Sequence, residues 1–453
     1  MDVPATAADG LAVHRPGSDR YAQATSPHNP SGAQRPVAVA APASGAQVSA
    51  AVPLAAERGW MIAPQATGHG AAGDIGADTL LIDTSGLNEI TVDPRTATVR
   101  AGAGAVWAAV EQAAEPYGLL GRAGTSPSVS VAGYTFGGGV GWLVRPHGLA
   151  SAHLLAVDFV DAEGRQRRAA PDAAEPGDRD AWWAFRGGGG TGIAVRLECE
   201  LVPVADLWAG YLLWPAGELG AVTAAWSSAL PAFGPALTTC VSLLHAAPGP
   251  PFPPELRGQP VVHLSLASSA GPGEAAALFG ALEGAAAPVV STWGPSDAER
   301  LGGIHLDPPP GVPALGGGRW LQGGTPAVAG DILQAGLAPD TPLMMIEIRH
   351  LGDSGPAAAG PSPAADGAMT RPPGPFLVHA VGLAGDPAQR ASLEQALQTV
   401  WAPAAAVDTG RAAPSFAEGE RSPGSQLSPS AQSRLAAIRS AIDPSSIIRT
   451  ART

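Results

Sequence analysis

The sequence predicts an α+β fold in two domains, and three observations support this. The 453 residues are enough for two or three domain-sized units. Between Arg35 and Asp206 the predicted elements follow one another as strand, helix, strand, loop, strands and helix, an order typical of α+β proteins. Near Asp206 the composition changes and a second set of strands and helices begins. We therefore expect an N-terminal arm (1–34), a first domain (35–206), a second domain (207–410) and a C-terminal segment (411–453).

Local signals predict the elements of the first domain. A short strand in RPVAVAAP precedes a helix that begins at the N-cap candidate Ser44 and ends at Gly59, with a kink at Pro53. A later helix ends at Gly118, and residues 121–148 are rich in glycine and predicted to be mostly loop. A half-buried strand follows, because two sets of side chains alternate along it: Val195, Leu197, Cys199 and Leu201 against Arg196, Glu198 and Glu200.

The second domain is predicted to mix strands and helices. AGYLLWPAG, VVHLSLASS and PLMMIEIRHLG have the composition of strands, whereas GELGAVTAAWSSAL and GEAAALFGALEG have that of helices. Residues 353–374 are rich in Pro, Gly and Ala and predict a flexible loop. The last predicted element is a helix in SPSAQSRLAAIRSAIDPSSIIRT.

Charge and cysteine content exclude several classes of function. The chain carries 26 Lys and Arg against 39 Asp and Glu, a formal charge of -13, which argues against binding to nucleic acid or to an anionic membrane. Cys199 and Cys240 are too few for a disulfide framework or a four-thiolate zinc site, and we predict no metal. The sequence has neither an apolar run of membrane-spanning length nor a signal-peptide pattern, so we expect a cytoplasmic protein, with a removed leader left open.

Glycine clusters are the strongest local feature of the first domain. Gly187, Gly189 and Gly192 match G-x-G-x-x-G, but a helix precedes them and a strand follows, the reverse of a Rossmann turn, so we reject NAD binding here. Two further loops, 68–73 and 137–141, lie in the same domain. Each is explicable as a turn, but the three together, near a lone histidine, favour backbone cradles for a pyrophosphate.

The segments that hold these glycines are QATGHGAAG, GTSPSVSVAGYTFGGGVGWLVRPHGLA and DAWWAFRGGGGTGIAVRLE. In order and spacing they resemble the PCMH-type FAD-binding domain of the vanillyl-alcohol-oxidase superfamily, in particular of its berberine-bridge-enzyme-like oxidases. LAAIRSAIDPSSIIR is similar to the closing helix and tail of that family, which return to the FAD domain. The resemblance implies a two-lobed FAD-binding domain and a substrate domain with an antiparallel sheet covered by helices.

The resemblance also implies a set of FAD contacts. His69 matches the histidine that family members attach to the flavin 8α-methyl group, and Ser126 stands where some members attach a cysteine, so it implies a single covalent link. Gln65, Gly70 and Ser130 depart from the residues more usual at their positions. The residues matched to the cofactor site are Gln65, Ala66, Thr67, Gly68, His69, Gly70, Gly124, Ser126, Val131, Gly133, Tyr134, Gly138, Gly139, Gly141, Trp142, Gly192, Ile193 and Val195.

The end of the chain departs further from the family pattern. Ser415-Phe416 stands in place of an Asn-Phe pair, and an asparagine-rich signature is missing after Arg449. These differences put in doubt the late polar contacts to the flavin that family members make.

Candidate catalytic residues come from the strand PLMMIEIRHLG. Glu347 and Arg349 share one face of it, with Ile346, Ile348 and His350 on the other. We expect Glu347 to be a general base with Arg349 as its partner, although a structural ion pair explains the pattern equally well. Burial would raise the pKa of Glu347 and Arg349 would lower it, so the sequence leaves the net shift open. Tyr134 is the alternative proton relay.

Three functions remain open at this stage. The first is an FAD-dependent oxidase, reoxidised by O₂, that takes hydride from a small, natural-product-like molecule. The second is a redox-neutral or resistance protein that remodels or sequesters a toxic metabolite. The third is a small-molecule binder without catalysis. In each case we expect a monomer or a homodimer.

Overall fold

The computed structural model describes residues 8–71, 75–285, 287–352, 366–418 and 426–449. It confirms the α+β prediction, with a two-lobed first domain followed by a large antiparallel sheet covered by helices. Of the loop predicted at 353–374, residues 353–365 lie outside the described residues, as does the tail after Arg449. Residues 366–374 pack against the first domain, where the Ser151 hydroxyl donates to the Met369 carbonyl over 2.6 Å.

The first lobe is a four-stranded sheet in the order β1-β2-β4-β3, in which β2 and β3 run parallel to β4 and β1 is antiparallel to β2. Helix α2 starts at the predicted N-cap, where the Ser44 hydroxyl accepts from the Gln47 amide, and the chain turns at Gly59 with a φ of 65°. The elements are β1 (Val13–His14), α1 (Asp19–Ala24), β2 (Ala38–Ala40), α2 (Gly45–Ala56), β3 (Met61–Gln65) and β4 (Thr79–Asp83).

The described part of residues 8–34 is not an extended arm. It supplies strand β1 and helix α1, because Ser18 caps the helix and the apolar side chains of Leu11 and Val13 are buried in the core of the first lobe. Scattered prolines and glycines hid this short apolar segment in the sequence.

The second lobe is an antiparallel sheet in the order β5-β6-β10-β8-β9, and β7 pairs separately with β11. The region predicted to be loop contains two short helices, of which the first is capped by the Ser130 hydroxyl. The elements are β5 (Ile90–Asp93), β6 (Thr98–Gly102), α3 (Trp107–Ala114), β7 (Leu119–Leu120), α4 (Val131–Phe136), α5 (Val144–His147), β8 (Leu154–Val160), β9 (Gln166–Ala169), α6 (Pro176–Phe185), β10 (Ile193–Glu200) and β11 (Val202–Pro203).

Strand β10 departs from the predicted alternation at one end. Leu197, Cys199 and Leu201 are buried in one core cluster as expected. A register shift between Ala194 and Arg196 turns Val195 away from them, so that it packs against the core of the first lobe. A bulge of this kind reverses which residues face which side.

The second domain is built on a sheet in the order β15-β12-β14-β13-β18-β19-β17-β20, with β16 also paired to β12 and all pairs antiparallel. Its elements are β12 (Trp208–Pro215), α7 (Leu219–Ala229), β13 (Leu237–His245), β14 (Pro260–Ser268), α8 (Ala276–Leu282), β15 (Val290–Ser291), β16 (Gly294–Pro295), α9 (Ala298–Gly303), β17 (Ala314–Leu321), α10 (Ala329–Gln334), β18 (Leu343–His350), β19 (Phe376–Leu383), α11 (Pro387–Ala404) and β20 (Asp408–Ala412).

The two faces of this sheet have different neighbours. Apolar side chains of α7, α8, α10 and α11 cover one face, which includes Ile346 and Ile348 of β18. The opposite face carries Glu347 and Arg349 and meets the first domain, where Trp142 packs beside Cys240. The predicted division of the two faces of β18 is therefore present.

The chain returns to the first domain at its end. Helix α12 (Pro429–Ile442) packs beside α6, and the following residues pair with β3. The Ile62 amide donates to the Ile447 carbonyl and the Arg449 amide donates to the Ile62 carbonyl, each over 2.7 Å. Across the described ranges, no helix combines the length and apolar character that crossing a membrane requires.

Candidate functional site

A cavity of about 1350 Å³ lies between the first domain and the sheet of the second domain. Its first-domain wall is formed by the glycine loops, and its second-domain wall is mostly apolar, with Met344, Met345, Phe252 and several prolines. The volume exceeds the roughly 300–1,000 Å³ of a site for one drug-sized ligand, so it has room for a dinucleotide and a further small molecule.

The structure brings most of the predicted cofactor residues together on this wall. Those that line the cavity are Gln65, Ala66, Thr67, Gly68, His69, Gly70, Gly124, Ser126, Gly133, Tyr134 and Gly192. Those that do not line it are Val131, Gly138, Gly139, Gly141, Trp142, Ile193 and Val195.

The second group has packing roles that explain its position. A Cβ atom at Gly138 would lie 2.5 Å from the Met369 side chain, so this glycine makes room for the docked segment 366–374. A Cβ atom at Gly139 would lie 2.7 Å from the ring of Tyr134. Trp142 is buried, and its ring lies 5.4 Å from the guanidinium of Arg349. These residues belong to the matched sequence segments because they shape the backbone and the packing there. The sequence alone does not show which of the matched residues face the cavity.

His69 lies half-buried on the cavity wall. Its Nε2 is 2.9 Å from the Ser128 hydroxyl, and its ring stacks on that of His28 with a centroid distance of 3.4 Å. Burial and the neighbouring His28 lower the pKa of His69 to about 3, against weaker opposing effects of Asp307 and Ser128. The imidazole is therefore neutral near pH 7, the state in which it is nucleophilic.

The loop before His69 is held by a specific backbone geometry. Gly68 has a φ of 69°, and a Cβ atom there would collide with Pro27 of the N-terminal segment. Gln65 anchors the same loop, since its side-chain amide pairs with that of Gln34 over 2.7 and 3.1 Å and donates to the Ala24 carbonyl over 3.2 Å. The departure from the family pattern at Gln65 thus has a structural role in this chain.

Two residues that line the cavity have hydroxyl groups without a partner within the described residues. The Tyr134 hydroxyl and the Thr191 hydroxyl are buried, and neither forms a hydrogen bond. Burial strongly raises the pKa of Tyr134, so its hydroxyl stays protonated. Leaving such groups unpaired costs about 1–3 kcal/mol each, so both are suited to a polar ligand in the cavity. Together with the glycine loops, they fit FAD as the cofactor.

Glu347 is fully buried behind the cavity wall, and neither it nor Arg349 lines the cavity. Arg349 donates to both of its carboxylate oxygens, from Nη2 over 2.8 and 3.0 Å and from Nε over 3.1 Å. Burial raises the pKa of Glu347, but Arg349 and His305 outweigh burial and hold it well below its usual range. The carboxylate is therefore ionised near pH 7 and is not placed to contact a substrate itself.

Two histidines connect Glu347 to the cavity. His305 donates from Nε2 to Glu347 over 2.9 Å and from Nδ1 to Asp307 over 2.6 Å. His379 donates from Nε2 to Glu418 over 3.1 Å, and its Nδ1 lies 3.3 Å from Glu347, without hydrogen-bond alignment. We call Asp307, His305, Glu347, His379, Glu418 and Arg349 the interdomain charge network.

The charges of this network support one another. Burial lowers the pKa of His305, but Asp307 and Glu347 raise it to about 9. Burial likewise lowers the pKa of His379, but Glu418 and Glu347 raise it to about 10. Three cations therefore face three carboxylates. Within the ranges that the structure describes, no group of three or more His, Cys, Asp or Glu side chains is placed to hold a metal ion.

Sequence reasoning missed His305, Asp307, His379 and Glu418, all of which line the cavity. They come from separate loops and strands, and only the short spacing of His305 and Asp307 offered a local signal. Ser415-Phe416, noted as a departure, also lines the cavity, and the Ser415 hydroxyl donates to the Gly137 carbonyl over 3.0 Å.

Comparison with known sequences agrees with this site. Residues 36–170 match the family model described as an FAD binding domain. Reticuline oxidase of Papaver somniferum is 32% identical over 181 residues, which are 38% of this chain and 32% of that protein. (R)-6-hydroxynicotine oxidase of Paenarthrobacter nicotinovorans is 29% identical over 184 residues, which are 40% and 39% of the two chains. The chain thus spans about a third of the length of the first such relatives.

Solved structures share the whole fold. Physcomitrella patens BBE-like 1 superimposes with a TM-score of 0.81 at 19% identity, covering 98% of this chain and 96% of the other. A 6-hydroxy-D-nicotine oxidase from Arthrobacter nicotinovorans gives a TM-score of 0.79 at 20% identity, covering 99% and 98%. Residues 36–170 therefore carry an FAD-binding domain, and the chain as a whole shares the fold of Physcomitrella patens BBE-like 1 and of the nicotine oxidase.

Proposed function

We propose that this protein is an FAD-dependent oxidoreductase that oxidises a small, largely apolar molecule and is reoxidised by O₂. The observation that carries the proposal is the cavity itself. It joins a glycine-lined wall suited to FAD with an apolar second-domain wall that is backed by a fixed set of ionised groups. Most small-molecule sites combine such apolar walls with a few placed polar groups.

The chain's own residues would bind, orient and exchange protons. Bound flavin supplies the acceptor for hydride, which no side chain provides. Tyr134 is the better placed of the two proton-handling candidates, because it lines the cavity whereas Glu347 does not, and its neutral hydroxyl has no partner within the described residues. Glu347 acts as a positioning residue, since it holds His305 and His379, which do line the cavity.

The function is tested by the flavin spectrum of the purified protein under anaerobic conditions. A candidate alcohol or amine substrate should bleach the flavin, and admission of air should restore it with formation of hydrogen peroxide. Turnover of the compound without bleaching would indicate redox-neutral chemistry, and the absence of bound flavin would indicate a binding protein. Either result contradicts the proposal.

We further propose that FAD is attached covalently through His69 alone. A neutral imidazole on the cavity wall beside Gly68 supports this. Neither Cys199 nor Cys240 lines the cavity, and both thiols are buried, which supports a single link.

The covalent link is tested by acid precipitation. Wild-type protein should retain its yellow colour in the pellet, whereas His69→Ala should release its flavin into the supernatant. Peptide mapping should find flavin mass on the peptide containing His69. Complete release from the wild type, or flavin on any other peptide, would contradict the assignment.

A further inference from the structure

His28 lies directly against the proposed attachment residue. The two imidazole rings are nearly parallel, with an interplanar angle of 15° and centroids 3.4 Å apart. His28 belongs to the N-terminal segment and lines the same cavity as His69. None of the sequence motifs that indicate FAD binding includes it.

Backbone contacts fix His28 in this position. Its amide donates to the Thr67 carbonyl over 3.0 Å, and the next amide, that of Asn29, donates to the Gly68 carbonyl over 3.2 Å. From the second domain, the Gly311 amide donates to the His28 carbonyl over 2.9 Å. We call the loop that contains Thr67, Gly68 and His69 the attachment loop. The segment around His28 is held between this loop and the second domain, and the stacked ring of His28 is held with it.

The stack favours the neutral form of both rings. Burial lowers the pKa of His28, and burial together with His28 lowers that of His69 to about 3. Asp307 opposes both shifts without overcoming them. A ring that rests on a second imidazole is also restrained in its rotation, so His69 presents a fixed edge to the cavity.

Ser128 is the hydrogen-bond partner of one of the two ring nitrogens of His69. Its hydroxyl lies 2.9 Å from Nε2. When Nε2–H donates to this oxygen, the proton stays on Nε2 and the lone pair is left on Nδ1. The hydrogen bond made by one imidazole nitrogen sets the state of the other. In that tautomer Nδ1 is the nucleophile, and the hydrogen bond to Ser128 stabilises it.

We infer that His28 and Ser128 are positioning residues that prepare Nδ1 of His69 for covalent attachment to the flavin. This rests on the proposed covalent link. In the attachment step, Nδ1 forms a bond to the 8α-carbon, which loses a proton, and Nε2 releases its proton toward Ser128. Two electrons remain on the flavin. Dioxygen then takes up these two electrons and two protons and is reduced to hydrogen peroxide.

The test follows attachment rather than turnover. Each variant is purified, incubated with FAD in air, and sampled over time for flavin fluorescence on the denatured polypeptide. His28→Ala and Ser128→Ala should bind FAD without a covalent bond and attach it about tenfold more slowly or worse, the usual effect of losing a supporting partner. His28→Phe keeps a stacked ring, and Ser128→Thr keeps the hydroxyl, so both should stay within a few-fold of wild type. The matched control for His28→Ala is His14→Ala, on β1. The matched control for Ser128→Ala is Ser228→Ala, at an exposed position on α7.

A pH profile separates positioning from a general loss of structure. Because the pKa of His69 is about 3, wild-type attachment should not slow between pH 8 and pH 5. In His28→Ala the pKa of His69 should rise, and attachment should fall at the acid end of this range. Wild-type rates in both alanine variants, or His28→Phe as slow as His28→Ala, would overturn the inference. A wild type that releases all its flavin in acid would instead overturn the covalent proposal and this inference with it.

Discussion

At the scale of single residues, Tyr134 and Glu347 differ in their relation to the cavity: Tyr134 lines it, whereas Glu347 supports residues that line it. The buried hydroxyl of Tyr134 has no hydrogen-bond partner within the described residues. Glu347 is fully buried, and its carboxylate contacts Arg349, His305, His379 and Cys240. A proton-handling role for the first and a positioning role for the second give different expectations on substitution.

Tyr134→Phe should leave the fold intact while slowing the reaction. Within the described residues the hydroxyl has no partner, so its removal should not lower the free energy of unfolding. Loss of a proton relay should slow substrate-driven flavin reduction about 10²-fold, measured by anaerobic stopped flow. The exposed Tyr117→Phe is the control. Unchanged reduction in Tyr134→Phe would remove this residue from the mechanism.

Glu347→Gln should destabilise the protein strongly. The amide cannot balance Arg349 and the two protonated histidines, and breaking a buried pair costs about 3–5 kcal/mol. Urea unfolding of this variant and of the exposed control Glu299→Gln measures the difference. A loss below about 1 kcal/mol would mean that the network contributes little to the folded state.

At the scale of elements, the attachment loop after β3 depends on the segment that packs against it. Gly68 adopts a left-handed φ of 69° next to Pro27, and Gln65 holds the loop to Gln34. The loop is thus shaped by residues about 30–40 positions earlier in the chain.

Gly68→Ala should impair both stability and cofactor binding. A side chain in the left-handed region costs about 1–2 kcal/mol, and the added methyl group would also displace Pro27. We expect a lower ratio of flavin to protein in the absorption spectrum and a reduced melting temperature. Gly330→Ala on α10 is the matched control, because its Cβ atom would meet nothing within 4 Å. Equal flavin content in the two variants would argue against a constrained loop.

At the scale of the whole molecule, the interdomain charge network makes stability depend on pH. The pKa values of His305 and His379 rise from 6.5 in the unfolded chain to about 9 and about 10. Their stabilisation is therefore complete below pH 6.5 and is lost as the pH rises to about 10. The pKa values of Glu347 and Asp307 are lowered, so their stabilisation is present above their ordinary values of 4.5 and 3.8 and is lost in acid.

Four other buried or half-buried histidines, His69, His147, His263 and His350, have pKa values lowered to about 3 or 4, so stability also falls as the pH drops below 6.5. We therefore expect the free energy of unfolding to be greatest near pH 6.5 and to decline on both sides. Urea unfolding from pH 4 to pH 10 checks this, and His379→Gln should flatten the alkaline limb. Stability that stays constant or increases between pH 6.5 and pH 10 would contradict the charge states assigned to the two histidines.

The sequence by itself determined the local features and indicated the FAD-binding domain. The N-cap at Ser44, the turn at Gly118 and the helix-loop-strand order around Gly189 depend on neighbouring residues, so short patterns predict them. The glycine loops and Gly68-His69 likewise indicated the FAD-binding domain, because close approach of backbone to a ligand requires glycine at set positions.

Only the tertiary structure decided how distant parts of the chain meet. The ionisation of Glu347 depends on Arg349 and on His305 from another loop, and the state of His69 depends on His28 and Ser128. The orientation of Val195 depends on a bulge that forms against β8. Each is set by burial and by charges that are distant in sequence, and no local pattern encodes the distance between two side chains that folding alone brings together.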